Sequence, residues 1–125
     1  MKITLDESWE LCLKQWKWIA KQIVKMKRTG DLYSVKQLKR EWCDKNNFKL
    51  PSRCSNCFFC LYSITHPTKS NPDKSIVCNC PAQKVDKHFD CQTWEYNYTQ
   101  KPLKFYAKVR KLNNVRLKKK GAKNV

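Results

Sequence analysis

The chain has 125 residues, the size of one ordinary domain and too short for two independent cores. With 27 Lys plus Arg against 10 Asp plus Glu it carries a formal charge of +17, yet 41% apolar content and five residues each of Trp, Tyr and Phe exclude a disordered basic tail protein. Two glycines in all exclude a glycine-rich phosphate cradle, and with it P-loop and dinucleotide-binding folds.

The first residues carry Asp6, Glu7 and Glu10 where a signal peptide needs an apolar run. No later apolar stretch approaches the ~20 residues that span a bilayer. An intracellular protein with no membrane partner is expected. Asp6 or Ser8 is placed to cap a first helix running to about Arg28, with Gly30 as its left-handed terminator. At about 100° per residue, Trp9, Cys12, Leu13, Trp16, Ile19, Ala20, Ile23 and Val24 fall on one face. Lys14, Lys17, Lys21, Lys25 and Arg28 form a stripe away from it, about 21 Å long, bordered by Trp18.

Ser34 and Gln37 read as a capping box for a second helix to about Lys45, with Val35, Leu38 and Trp42 inward and Asn46-Asn47 as its end. Residues 51–98 read as irregular or short-stranded, because Pro67, Pro72 and Pro81 exclude a long helix. Pro102 suits the first position of a last helix to about Asn113, with Phe105, Val109 and Leu112 on one side and Lys104, Lys108 and Lys111 along its edge. Lys118, Lys119, Lys120 and Lys123 follow in a basic tail. The expected fold is therefore mainly α in a single domain, residues 1–125. A helical hairpin (1–50) and a C-terminal basic helix and tail (101–125) enclose a cysteine-rich, zinc-stapled centre (51–100). These segments carry +6, +10 and +1 respectively.

Six of the eight cysteines, Cys54, Cys57, Cys60, Cys78, Cys80 and Cys91, lie between positions 54 and 91. In a reducing compartment, clustered thiols point to metal rather than to disulfides. The two-residue gap of Cys57-Phe58-Phe59-Cys60 lets one turn aim both sulfurs at an ion, and Cys78, Cys80 and Cys91 supply a second group. One structural Zn2+ is the expected cofactor, since four sulfurs leave no open position for water. Cys57, Cys60, Cys80 and Cys91 are the first choice of ligands, with Cys78 competing, Cys54 an overlapping option and His88 a further candidate. Unpaired buried thiols or an iron–sulfur cluster are the alternatives. Cys12, on the apolar face of the first helix, reads as core.

The order Ser8-Trp9-Glu10, Trp16-Lys17-Trp18-Ile19, Tyr33 to Trp42, Asn56-Cys57-Phe58-Phe59-Cys60, Cys80-Pro81, Phe89-Asp90-Cys91, Tyr96-x-Tyr98 and Phe105-Tyr106 resembles a group of short cysteine- and tryptophan-containing proteins encoded by tailed bacteriophages. The likeness covers most of residues 8 to 117, and departs from the group's Cys-x-x-Cys-Pro at Cys78-Asn79-Cys80. The resemblance implies a phage-encoded protein acting in the cytoplasm of a bacterial host, and implies no activity.

A strongly basic domain attracts polyanions, because each neutralised phosphate releases condensed counterions. Nucleic acid, DNA or RNA, is the expected partner, through the first-helix stripe, the edge of the last helix and the tail, with Trp18 and Tyr96 or Tyr98 as stacking candidates. A protein-interaction module for an acidic host protein, a polymerase or a defence factor, is the rival reading. An enzyme is disfavoured: His66 and His88 are the only histidines, neither zinc-deaminase nor zinc-protease spacing is present, and Asp90 reads as a local cap.

Overall fold

The computed structural model describes residues 2–66 and 80–123. Helix α1, Leu5–Thr29, is capped by Thr4. The Thr4 hydroxyl accepts from the Glu7 amide at 3.1 Å, while the Glu7 carboxylate accepts from the Thr4 amide at 3.0 Å. This capping box replaces the expected Asp6 or Ser8 cap. Ser8 is buried and its hydroxyl donates to the Leu5 carbonyl, and Asp6 is engaged by α4. Gly30 closes the helix at φ 75°, the left-handed conformation that glycine adopts without a Cβ penalty.

Along α1, Trp9, Cys12, Trp16, Ile19 and Ile23 are buried as expected, but so are Ser8 and Gln15, while Val24 is 41% exposed. The buried arc is thus rotated by about 50° from the apolar one, toward Gln15. The cause is helix α2, Val35–Lys45, which packs on the Gln15 and Trp18 side of α1. In α2, Ser34 accepts from the Gln37 amide, but the Gln37 side chain donates to Glu41 and leaves the box half made. Val35, Leu38 and Trp42 are buried, joined by Lys39 and Cys43.

The centre departs from the expectation. After a 3-10 turn at Ser52–Cys54 the chain forms helix α3, Phe58–Thr65, and the described residues contain no strand. The run Phe58 to Ile64 has no helical apolar period because Phe58, Phe59, Leu61, Ser63 and Ile64 are buried on several sides at once. Phe59 meets Trp9 edge-on at 4.8 Å, and Phe58 meets Trp42 edge-on at 5.7 Å. A second 3-10 turn, Pro81–Lys84, leads through successive turns to helix α4, Pro102–Lys123.

Helix α4 runs past the expected end at Asn113. Arg116 explains the extension: its guanidinium donates to Asp6 at 2.6 Å and to Asn113, and lies 5.0 Å from the Trp9 ring centroid. Lys120 reaches the same carboxylate at 2.7 Å. Helix α1 is therefore central, packed against α2, α3 and α4 in turn. No helix of the described residues is long and apolar enough to cross a membrane.

Candidate metal centre and basic surface

The local fold gathers cysteines around one cavity. Cys54 ends the first 3-10 turn, and its carbonyl accepts from the Cys57 amide at 2.9 Å across Ser55 and Asn56, both at positive φ (49° and 58°). Cys57 caps α3, and Cys60 lies in its first turn. Cys80 precedes the second 3-10 turn. Cys91 sits in the turns before α4, its carbonyl accepting from the Tyr98 amide. Cys54, Cys57, Cys60, Cys80 and Cys91 all line this cavity of about 380 Å³, together with Lys39.

Gln15 ties the wall together. Its Nε2 donates to the Asn56 carbonyl at 3.0 Å and to the Lys39 carbonyl at 3.4 Å, so one buried amide joins α1, α2 and the turn before Cys57. Lys39 is 4% exposed, and its Nζ lies 4.7 Å from the Tyr98 ring centroid.

The thiols do not titrate alike. A hydrogen bond from the Cys60 thiol pulls Cys57 down to about 6, helped by the Lys39 charge and the Cys60 and Phe59 amides, against the effect of burial. Its partner Cys60 is pushed far up by the same contact. Burial and the charge on Cys57 raise Cys80 to about 12 and Cys91 to about 11. One thiolate is favoured at neutral pH, and each further ionisation is resisted by the first. As they stand, no three His, Cys, Asp or Glu side chains among the described residues form a group that could hold a metal ion.

Of the other ligand candidates, Cys78 lies outside the described residues. His88 is exposed and does not line the cavity; its amide donates to Asp86. Cys12 is core, 1% exposed, with its thiol raised by burial. Asp90 does act locally, accepting from the Gln92 amide at 2.9 Å.

The basic stripe of α1 faces solvent: Lys14, Lys17, Lys21, Lys25 and Arg28 are all exposed, and none takes part in an ion pair among the described residues. Lys14 and Lys17 border a groove of about 260 Å³ whose far wall is Tyr106, Arg110, Asn113 and Asn114 of α4. The Arg110 guanidinium lies over Tyr106 at 5.4 Å. Lys104, Lys111, Lys118 and Lys119 are also exposed and take part in no ion pair among the described residues. Lys108 and Lys120 are committed locally, to Asp86 at 3.1 Å and to Asp6.

The stacking candidates are mostly occupied. Trp18 is half-buried with the Lys45 ammonium 4.9 Å from its ring centroid. Tyr96 stacks on Phe89 and Tyr98 packs against Phe105. The exposed ring is instead Trp94, at 76%, with Lys101 beside it at 5.1 Å.

Sequence reasoning missed Lys39, Gln15 and Arg110. The first two were signalled: Lys39 stands four residues after Val35, and Gln15 three after Cys12, each at the spacing of a buried face. Arg110 stands four after Tyr106, which puts both on one side of α4.

No family model, curated protein or solved structure matches the chain.

Proposed function

We propose that the chain is a zinc-stapled basic domain that binds nucleic acid, DNA or RNA, through the α1–α4 face, without carrying out chemistry on it, in the cytoplasm of a phage-infected bacterium. The observation that carries this reading is the groove where Lys14 and Lys17 of α1 meet Arg110 of α4, on a surface whose other α1 cations also lack carboxylate partners among the described residues. A row of unpaired cations along about 21 Å of helix matches a phosphate backbone in charge and spacing. Tyr106, Asn113 and Asn114 add hydrogen-bonding groups to the groove.

Zinc is proposed as the staple because its preferred donors line one cavity. Cys57, Cys60, Cys80 and Cys91 would hold it, with Cys54 and Cys78 as the competing sulfurs. A bound ion supplies the attraction that four neighbouring thiolates lack, and so stabilises the connection between α3 and α4. No reaction is assigned, since a closed tetrathiolate leaves no site for a substrate.

The test is the salt dependence of binding to duplex and single-stranded probes. Changing Lys14, Lys17, Lys21 and Lys25 together to Gln keeps good helix formers on a solvent face. If these side chains neutralise four duplex phosphates, the slope of log affinity against log salt becomes shallower by about 3.6. An unchanged slope would reduce the face to solvated surface and favour an acidic protein partner.

A further inference from the structure

A buried lysine with no carboxylate partner requires an explanation, because an ammonium removed from water without a counter-charge is strongly destabilising. Lys39 is such a residue. It is 4% exposed, and none of the ion pairs among the described residues includes it. Its ammonium lies over Tyr98, a contact worth at most a fraction of the lost hydration. Asp90, the acid that lines the same cavity, is exposed and turned to the Gln92 amide. What the cavity does offer Lys39 is sulfur: five cysteines share its walls with this side chain.

We infer that Lys39 is the built-in counter-cation of a metal–tetrathiolate centre in this cavity, a positioning residue that balances the charge of the site without ligating the metal. The inference rests on the zinc reading above. A zinc ion with four thiolates carries a net charge of −2, and in a dry cavity that charge needs a nearby cation as much as the cation needs it. Lysine suits the role better than arginine would on size, since a compact ammonium on a long stem reaches inward from α2. The Gln15 amide, bonded to the Lys39 carbonyl and to the Asn56 carbonyl just before Cys57, holds cation and ligand turn in register.

The experiment is a chelator competition that measures zinc affinity for the full chain and for Lys39→Met, Lys39→Gln and Lys39→Arg, with unfolding curves of each in zinc-loaded and zinc-free form. Lys39→Met and Lys39→Gln are expected to bind zinc about 10- to 100-fold more weakly, the range for loss of a partner just outside the ligand shell. Lys39→Arg is expected to recover most of that loss. Without zinc, Lys39→Met is expected to lose less stability than it does with zinc, since Lys39 then faces at most one thiolate rather than a centre of net charge −2; a residue that served packing alone would cost the same in both forms. Equal zinc affinity in all four chains would overturn the inference and leave the metal reading standing. Loss of folding in both neutral variants, with zinc and without, would also overturn it, because Lys39 would then be structural. A parent chain that binds no zinc would overturn both.

Discussion

Replacing Arg116 with Met tests how the two walls of the basic groove are held together. Arg116 joins the C-terminal half of α4 to the first turn of α1, through Asp6 at 2.6 Å and the face of Trp9 at 5.0 Å. Asp6 is half exposed, so solvent screens the ion pair and it contributes about 0.2 to 1 kcal/mol. The guanidinium over the buried Trp9 ring adds about 0.5 to 1 kcal/mol. Arg116→Met should therefore cost about 1 to 2 kcal/mol, or roughly 4 to 8 °C in Tm for a domain of this size. The two parts separate with pH. Hydrogen bonds from Lys120 and then Arg116 hold the Asp6 carboxyl below the usual carboxylate range, so its contribution is complete above the unfolded value near 3.9 and is lost as pH falls through the folded value. Thermal melts of parent and variant at pH 7 and again near pH 2.5 should show the difference shrinking toward the Trp9 part alone. A Tm difference under about 1 °C at pH 7, or one of unchanged size at pH 2.5, would refute the clasp.

Gln15→Ala removes hydrogen bonds to the Asn56 and Lys39 carbonyls and leaves a void among buried residues, so urea unfolding should show a loss of about 2 to 4 kcal/mol; a loss under about 0.5 kcal/mol would deny Gln15 its bracing role. Ser55 stands at φ 49° on the surface, and Ser55→Gly should relieve about 1 kcal/mol of left-handed strain and raise the urea midpoint. A lowered midpoint would contradict that reading of the turn.

Helices α1 and α2 were legible because their ends carry local chemistry, Gly30 and Ser34 above all, and because Trp9, Trp16, Leu38 and Trp42 repeat at helical spacing. Helix α3 was not, since a segment buried on several sides shows no period, and its proline-bounded, cysteine-rich neighbourhood reads as loop. The length of α4 was misjudged for a different reason. Asn113 and Asn114 look like a stop, but Asn113 bonds the Arg116 side chain, and a contact with Asp6, 110 positions away, carries the helix onward. Tertiary contact also rotated the buried arc of α1, which no local pattern records. At the candidate site, spacing pointed to Cys57, Cys60, Cys78, Cys80 and Cys91, of which Cys57, Cys60, Cys80 and Cys91 line the cavity and Cys78 lies outside the described residues. The buried cation beside them was overlooked because lysine is almost always a surface residue.

Occupancy of the cysteine cavity by a metal is read from the mass of the chain purified without chelator, compared under native and denaturing conditions. One zinc per chain, with all eight cysteines reactive toward a thiol reagent once the ion is removed, is the expected result. A metal-free native mass, or a chain whose cavity cysteines are paired as disulfides, would contradict it.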